Sequence, residues 1–180
     1  MTTFTWIFRI VRIMMKALAL TTIAFVALLA CGCGGDSSTR ESNLTPRASP
    51  VEARERSSPE VRARDGVPPS KLVHRDLVIG TGSSAEWSKK VVINFVGYDY
   101  KTGRVTGSSW ENGKPSDFEL SSVLTVEGLR KGMLGMKAGG RREVIIPPRL
   151  AFGWAGAPPE IPPNATVVYM VDLLGVQPAN

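Results

Sequence analysis

The chain has 180 residues, with 22 Lys+Arg against 16 Asp+Glu, one histidine and two cysteines. That length suits one ordinary domain with attachments, and a lone His74 beside Cys31 and Cys33 excludes His- or Cys-rich zinc sites and leaves Ser-His-Asp chemistry without support. Residues 1–30 carry three basic and no acidic side chains, 31–70 six of each, and 71–180 thirteen basic and ten acidic, so a mature chain near +3 gives no case for nucleic-acid binding.

In chain order, the first element is an export signal over residues 1–30. Ala17 to Ala30 is an uncharged, mostly apolar run behind Arg9, Arg12 and Lys16. This is the charged region and apolar region of a secretory signal, and it is short for a spanning helix. Phe4 to Phe8 is also apolar, which leaves a retained anchor as the alternative, and Met14 and Met15 are alternative starts. Leu28-Leu29-Ala30-Cys31 resembles a bacterial lipobox, which implies a diacylated Cys31 as the first mature residue and a lipid anchor in the cell envelope. An ordinary signal followed by two unused thiols is the other reading. Residues 31–70 carry five prolines, no aromatic residue and charges of alternating sign. Leu44, Val51, Val61 and Val67 are too few for a core, so a disordered tether is expected there.

Residues 71–180 read as one mostly β domain. Lys71 to Ile79 alternates and stops at Gly80-Thr81-Gly82. Val91, Ile93 and Phe95 share one face of a strand, and Lys101 to Arg104 is a hairpin-type turn. Phe118 and Leu120 sit on a short strand, Arg142 to Ile146 forms another that ends at Pro147-Pro148, and Thr166 to Leu174 is the last, apolar apart from Asp172. Val126, Leu129, Met133 and Leu134 alone have helical spacing. Gly128 and Gly132 weaken that helix, so packing must hold it. About five antiparallel strands and one short helix give an α+β fold.

From Gly132 the chain runs Gly-Met-Leu-Gly-Met-Lys-Ala-Gly-Gly-Arg-Arg, followed by Ile146-Pro147-Pro148, Leu150-Ala151-Phe152-Gly153 and Ile161-Pro162-Pro163-Asn164-Ala165-Thr166. With Asn94-Phe95-Val96-Gly97, Gly103 and Ser108-Ser109-Trp110 upstream, this resembles the FKBP-type peptidyl-prolyl isomerases over essentially all of 71–180. The resemblance implies a strongly bent antiparallel sheet wrapped around one short helix. It also implies an enzyme that isomerises X-Pro bonds without cofactor or metal.

The resemblance assigns site positions one at a time. Phe95 stands for a wall tyrosine and Phe152 for the tyrosine whose hydroxyl donates to the ligand. Val126 matches the residue whose backbone N–H holds a substrate carbonyl, with Thr125 beside it in place of valine. Leu129 takes the helix position where many members have a tryptophan floor; Ile161 is retained, and Tyr169 replaces a phenylalanine. Two departures matter more. Where the family pattern is Gly-x-x-Phe-Asp-Ser-Ser, this chain has Thr106 and Gly107 for the phenylalanine and aspartate, and Ser116 stands where another phenylalanine is common, although Phe118 remains. Trp154, in the flap Gly153 to Glu160, is a candidate peptide contact. Core packing alone would also account for Phe95 and Phe118.

Two functions therefore compete. One is an extracytoplasmic, lipid-anchored, monomeric prolyl isomerase acting on proline-containing segments of exported proteins. The other is an FKBP-fold peptide-binding or chaperone module with little or no turnover.

Overall fold

The computed structural model describes residues 45–179. The expected signal over 1–30, Cys31 and the tether as far as residue 44 lie outside the described residues.

Strand β3 (Lys89–Asp99) is the spine of the sheet, because its alternation lets both faces be used. Val91, Ile93 and Phe95 turn to one side, and Val96 and Tyr98 to the other. The last strand, β7 (Val167–Pro178), runs antiparallel along its whole length, from Lys89 opposite Pro178 to Asp99 opposite Val167, with an irregularity at Val92/Ile93. Outward from β7 come β6 (Arg141–Ile146), β2 (Val73–Gly80) and a two-residue parallel strand β1 (Arg47–Ala48). The outer edge of β3 is shared by two short strands. Strand β4 (Val105–Ser108) pairs near Val96–Tyr98, and β5 (Ser116–Glu119) near Lys90–Ile93. Among the described residues the sheet therefore has seven strands against the five or so expected, and the additional β1 is parallel.

One face carries the main core, with Val91, Ile93, Val144, Val167, Val171 and Leu173 buried against Leu129 and Met133 of the helix α2 (Glu127–Met133). Here α1 denotes the earlier helix Pro50–Glu55. The two glycines that weaken α2 are what let it sit there. A Cβ on Gly128 would collide with the Ile146 side chain, and one on Gly132 with Val144. Close approach to β6 thus offsets poor helix propensity. Leu134, expected on the buried face, lies beyond the helix as its C-cap and is exposed.

The opposite face corrects the expectation of a disordered tether between residues 45 and 65. Val96, Tyr98, Tyr100, Ile145, Val168 and Met170 form a second cluster, and Val61 from the N-terminal segment packs on it. Ser49 caps α1 in a reciprocal box: its hydroxyl accepts from the Glu52 N–H while its own N–H donates to Glu52 Oε2 at 2.6 Å, with Pro50 in the first turn. Ala53 is fully buried. Beyond α1, Arg56 Nη2 donates to the Gly139 carbonyl, Trp110 Nε1 donates to the Arg56 carbonyl, and the Arg64 N–H donates to the Tyr100 carbonyl. Two carboxylates of the sheet are met by arginines of this N-terminal segment, Arg56 and Arg64. Asp172, fully buried, accepts both Nε and Nη2 of Arg141 at 2.7 Å and has Arg56 at 3.5 Å. Glu143 is paired with Arg64, with Arg75 farther off. Low apolar content predicts disorder only when no complementary surface is waiting; here buried carboxylates and an apolar sheet face supply one.

Candidate functional site

The apolar side chains expected to form a site all belong to the core between α2 and the sheet, or pack against it. Leu129 of α2, Ile161 of the flap and Tyr169 of β7 are buried in the main core cluster, and Phe95, Phe118, Val126 and Phe152 are half-buried against it. The Phe95 and Tyr169 rings have centroids 5.9 Å apart and planes tilted by 43°, a favourable aromatic geometry. Burial alone pushes the Tyr169 hydroxyl up to about 12. Its surroundings are therefore apolar enough to disfavour charge.

Strand β4 closes one side. Gly107 faces Gly97 across the ladder, and a Cβ on Gly107 would meet the Phe95 ring at 3.9 Å, an ordinary contact. A Cβ on Gly97 would come within 2.9 Å of Tyr169 Cε1 and 3.1 Å of Thr106 Oγ1, so Gly97, Thr106 and Tyr169 converge. The departures at Thr106 and Gly107 thus lie beside Tyr169 and Phe95. Ser116 pairs with Ile93 at the edge of β5, next to Phe118's pairing with Val91.

The polar part of the site is a backbone. Val126 is the N-cap of α2, and its carbonyl accepts the N–H groups of Leu129 and Arg130 at 3.0 and 3.1 Å. Among the described residues nothing accepts the Val126 N–H, and the Val126 side chain packs against the main core. Thr125 is half-buried next to it, and its carbonyl accepts Arg130 Nε at 3.2 Å.

Two supporting groups escape a reading for walls alone. Arg130 is buried and also reaches the Leu120 carbonyl at 3.4 Å, with its guanidinium over Trp87, so it ties the 120–125 loop to α2. Ser109 receives the Phe95 N–H on its hydroxyl at 2.9 Å, donates that hydroxyl to Asn94 Oδ1, and returns its own N–H to the Phe95 carbonyl. A signal for Ser109 existed in its place beside Trp110; Arg130, one charged residue on a short helix, offered none.

Trp154 stands apart. It is 82% exposed and lines a separate open groove of about 570 Å³ with Pro68, Pro69, Pro147, Arg149 and Thr166.

A curved sheet packed on one short helix defines the FKBP-like fold. Residues 82–174 match the family model for FKBP-type peptidyl-prolyl cis-trans isomerases, and the chain belongs to that family. It is 39% identical over 119 residues to an FK506-binding protein of Streptomyces anulatus, covering 66% of this chain and 96% of that one. To a probable FK506-binding protein of Corynebacterium glutamicum it is 35% identical over 116 residues, covering 64% and 96%. The crystal structure of FkpA from Escherichia coli is similar at a TM-score of 0.55 and 32% identity, over 73% of this chain and 57% of that one. This chain therefore corresponds to little more than half of that neighbour.

Proposed function

We propose that the chain catalyses cis-trans isomerisation of X-Pro bonds in exported proteins, outside the cytoplasm, as a monomer held to the cell envelope by a lipid on Cys31. The observation that supports this reading is that Phe95, Leu129, Phe152, Ile161 and Tyr169 belong to one apolar cluster, which Val126 at the N-terminus of α2 also joins.

The chemistry needs no acid, base or nucleophile. An X-Pro amide isomerises in tens to hundreds of seconds because twisting breaks its resonance, over a barrier of about 18–20 kcal/mol. The twisted amide is less charge-separated than the planar one, so an apolar enclosure favours it over the solvated ground state. Phe95, Phe152 and Tyr169 would flank the proline ring over Leu129 and Ile161. The Val126 N–H would hold a peptide carbonyl, fixing which end of the segment rotates. Phe118 and Thr125 would border the flanking residues. Phe152 lacks the hydroxyl, and Thr106 and Gly107 the ring and carboxylate, that a fuller wall would have, so turnover below that of members with an intact wall is expected.

A module that binds peptides with little turnover is the second reading, favoured by the same two positions. Refolding of a protein limited by prolyl isomerisation separates the two. The slow phase should speed up in proportion to catalytic amounts of this chain, whereas a pure binder would leave it unchanged or retard it. The anchoring is tested separately: intact mass should show acyl chains on Cys31, and Cys31→Ser should release the protein from membranes.

A further inference from the structure

We propose that the strap of residues 56–64 on the back of the sheet is a positioning element for the isomerase site, acting through Trp110 and the Asp99–Arg104 turn on the strand that carries Thr106 and Gly107. The inference rests on the site reading above. It concerns a segment that lies outside the family-matched residues 82–174.

Strand β4 spans only Val105–Ser108 and pairs with β3 on one side. A four-residue edge strand has little to hold it in place. The strap touches both of its ends. At the exit, Trp110 Nε1 donates to the Arg56 carbonyl at 3.2 Å, and the Arg141 guanidinium lies over the Trp110 ring. Ser109, next to Trp110, exchanges backbone and hydroxyl hydrogen bonds with Phe95. At the entry, Gly103 lies so close to the strap that a Cβ on it would sit 2.6 Å from the Ala63 nitrogen. The adjacent Arg64 N–H donates to the Tyr100 carbonyl at 2.9 Å.

The strap in turn is fixed to rigid parts of the sheet. Arg64 pairs with the buried Glu143 of β6, and Arg56 reaches Gly139 and approaches Asp172 of β7. Ion pairs with buried carboxylates and a shared apolar cluster give the clamp a fixed geometry instead of a sliding one. Position is therefore passed from β6 and β7, through the strap, to both ends of β4. There Thr106 and Gly107 face Tyr169 and Phe95. With the ring of a phenylalanine absent at 106, less side-chain packing holds this wall than the family pattern provides. The strap restrains from behind what the pocket restrains weakly from within.

The test uses the full chain with Trp110→Phe, which keeps a ring and removes the indole donor, alone and with Arg64→Ala. Arg62→Ala is the control, because Arg62 is an exposed strap residue paired only with Glu60. In variants still folded by circular dichroism, amide exchange of Thr106 to Ser108 should accelerate about ten-fold while Val168 to Val171 are unchanged. The kcat/KM on an X-Pro peptide should fall about five-fold, equivalent to about 1 kcal/mol. Arg62→Ala should alter neither. Lower stability with unchanged β4 exchange and unchanged kcat/KM would overturn the proposal and make the strap a structural cover only. If the double variant unfolds, Trp110→Phe alone decides by the same two readouts. A wild-type chain without turnover would overturn the isomerase reading, and β4 exchange would then judge the strap's hold by itself.

Discussion

Phe95 and Tyr169 meet diagonally across two strands: Tyr169 is in register with Gly97, not with Phe95, and the two rings tilt together 5.9 Å apart. The contact exists because residue 97 has no side chain. Tyr169 Cε1 occupies the space its Cβ would need. In Gly97→Ala the tyrosine ring must turn away or β4 must yield at Thr106. Overpacking of this kind costs about 1–3 kcal/mol. We expect urea unfolding to show that loss, and isomerase activity to fall about ten-fold as the Phe95–Tyr169 wall opens.

Strand β4 has room for a side chain at Gly107. A Cβ at Gly107 makes only ordinary contact with Phe95. If a phenylalanine at 106 returned about 50 Å² of apolar contact to the transition state, about 25 cal/mol per Å² comes to about 1 kcal/mol, or several-fold in rate. Thr106→Phe with Gly107→Asp, assayed on a Leu-Pro or Phe-Pro peptide, should therefore gain activity. Unchanged high activity in the natural chain would mean the wall is complete as it stands.

Alkaline stability should depend on two tyrosines. Burial raises the Tyr169 pKa to about 12, and burial also raises that of Tyr98, with Arg64 opposing. In the unfolded chain both ionise near about 10. Between about pH 10 and 12 the folded state therefore holds protons that the unfolded state has lost, and stability falls as pH rises through that window. Urea midpoints should be unaffected by these groups below pH 10 and decline above it. Tyr169→Phe should flatten the decline, and tyrosinate absorbance should show late-titrating groups among the three tyrosines.

A fragment beginning at residue 71 keeps every motif but loses the strap. It exposes the cluster around Tyr98, Val168 and Met170 and removes Arg64 from Glu143. Breaking a buried pair costs about 3–5 kcal/mol, and the newly wet face with Arg75 nearby reduces that. We expect the fragment to be about 2–4 kcal/mol less stable than the same chain started at residue 45. Equal urea midpoints would show that the strap contributes nothing.

How far the sequence could be read follows from where its signals are local. The strand around Val91–Phe95, the helix at Leu129 and Met133, and the spaced Gly and Pro motifs each report on their own neighbourhood, and together they specify the sheet, the helix and the apolar residues packed between them. Ser49-Pro50-Val51-Glu52 is an equally local signal, a capping box with proline at the first helical turn, masked by the proline-rich, charge-mixed stretch around it. The strap beyond it is a different matter. Arg56 and Arg64 look like solvated charges until Asp172 and Glu143 are known to lie buried opposite them, a pairing across 116 and 79 residues that no local pattern carries. Trp154 is exposed and lines a groove with Pro68, Pro69 and Arg149, neighbours that its place in the flap does not reveal.

Turnover at an X-Pro bond beside Phe95, Phe152 and Tyr169 is the proposed activity on which the rest depends. Exchange NMR on a short Phe-Pro peptide, without a coupling protease, measures it directly. With the full chain at a small fraction of the peptide concentration, cis and trans resonances should show exchange far faster than the uncatalysed tens to hundreds of seconds. Tyr169→Ala should abolish most of that exchange. Binding shifts with no gain in cis-trans exchange would contradict the account and leave a peptide-binding module in its place.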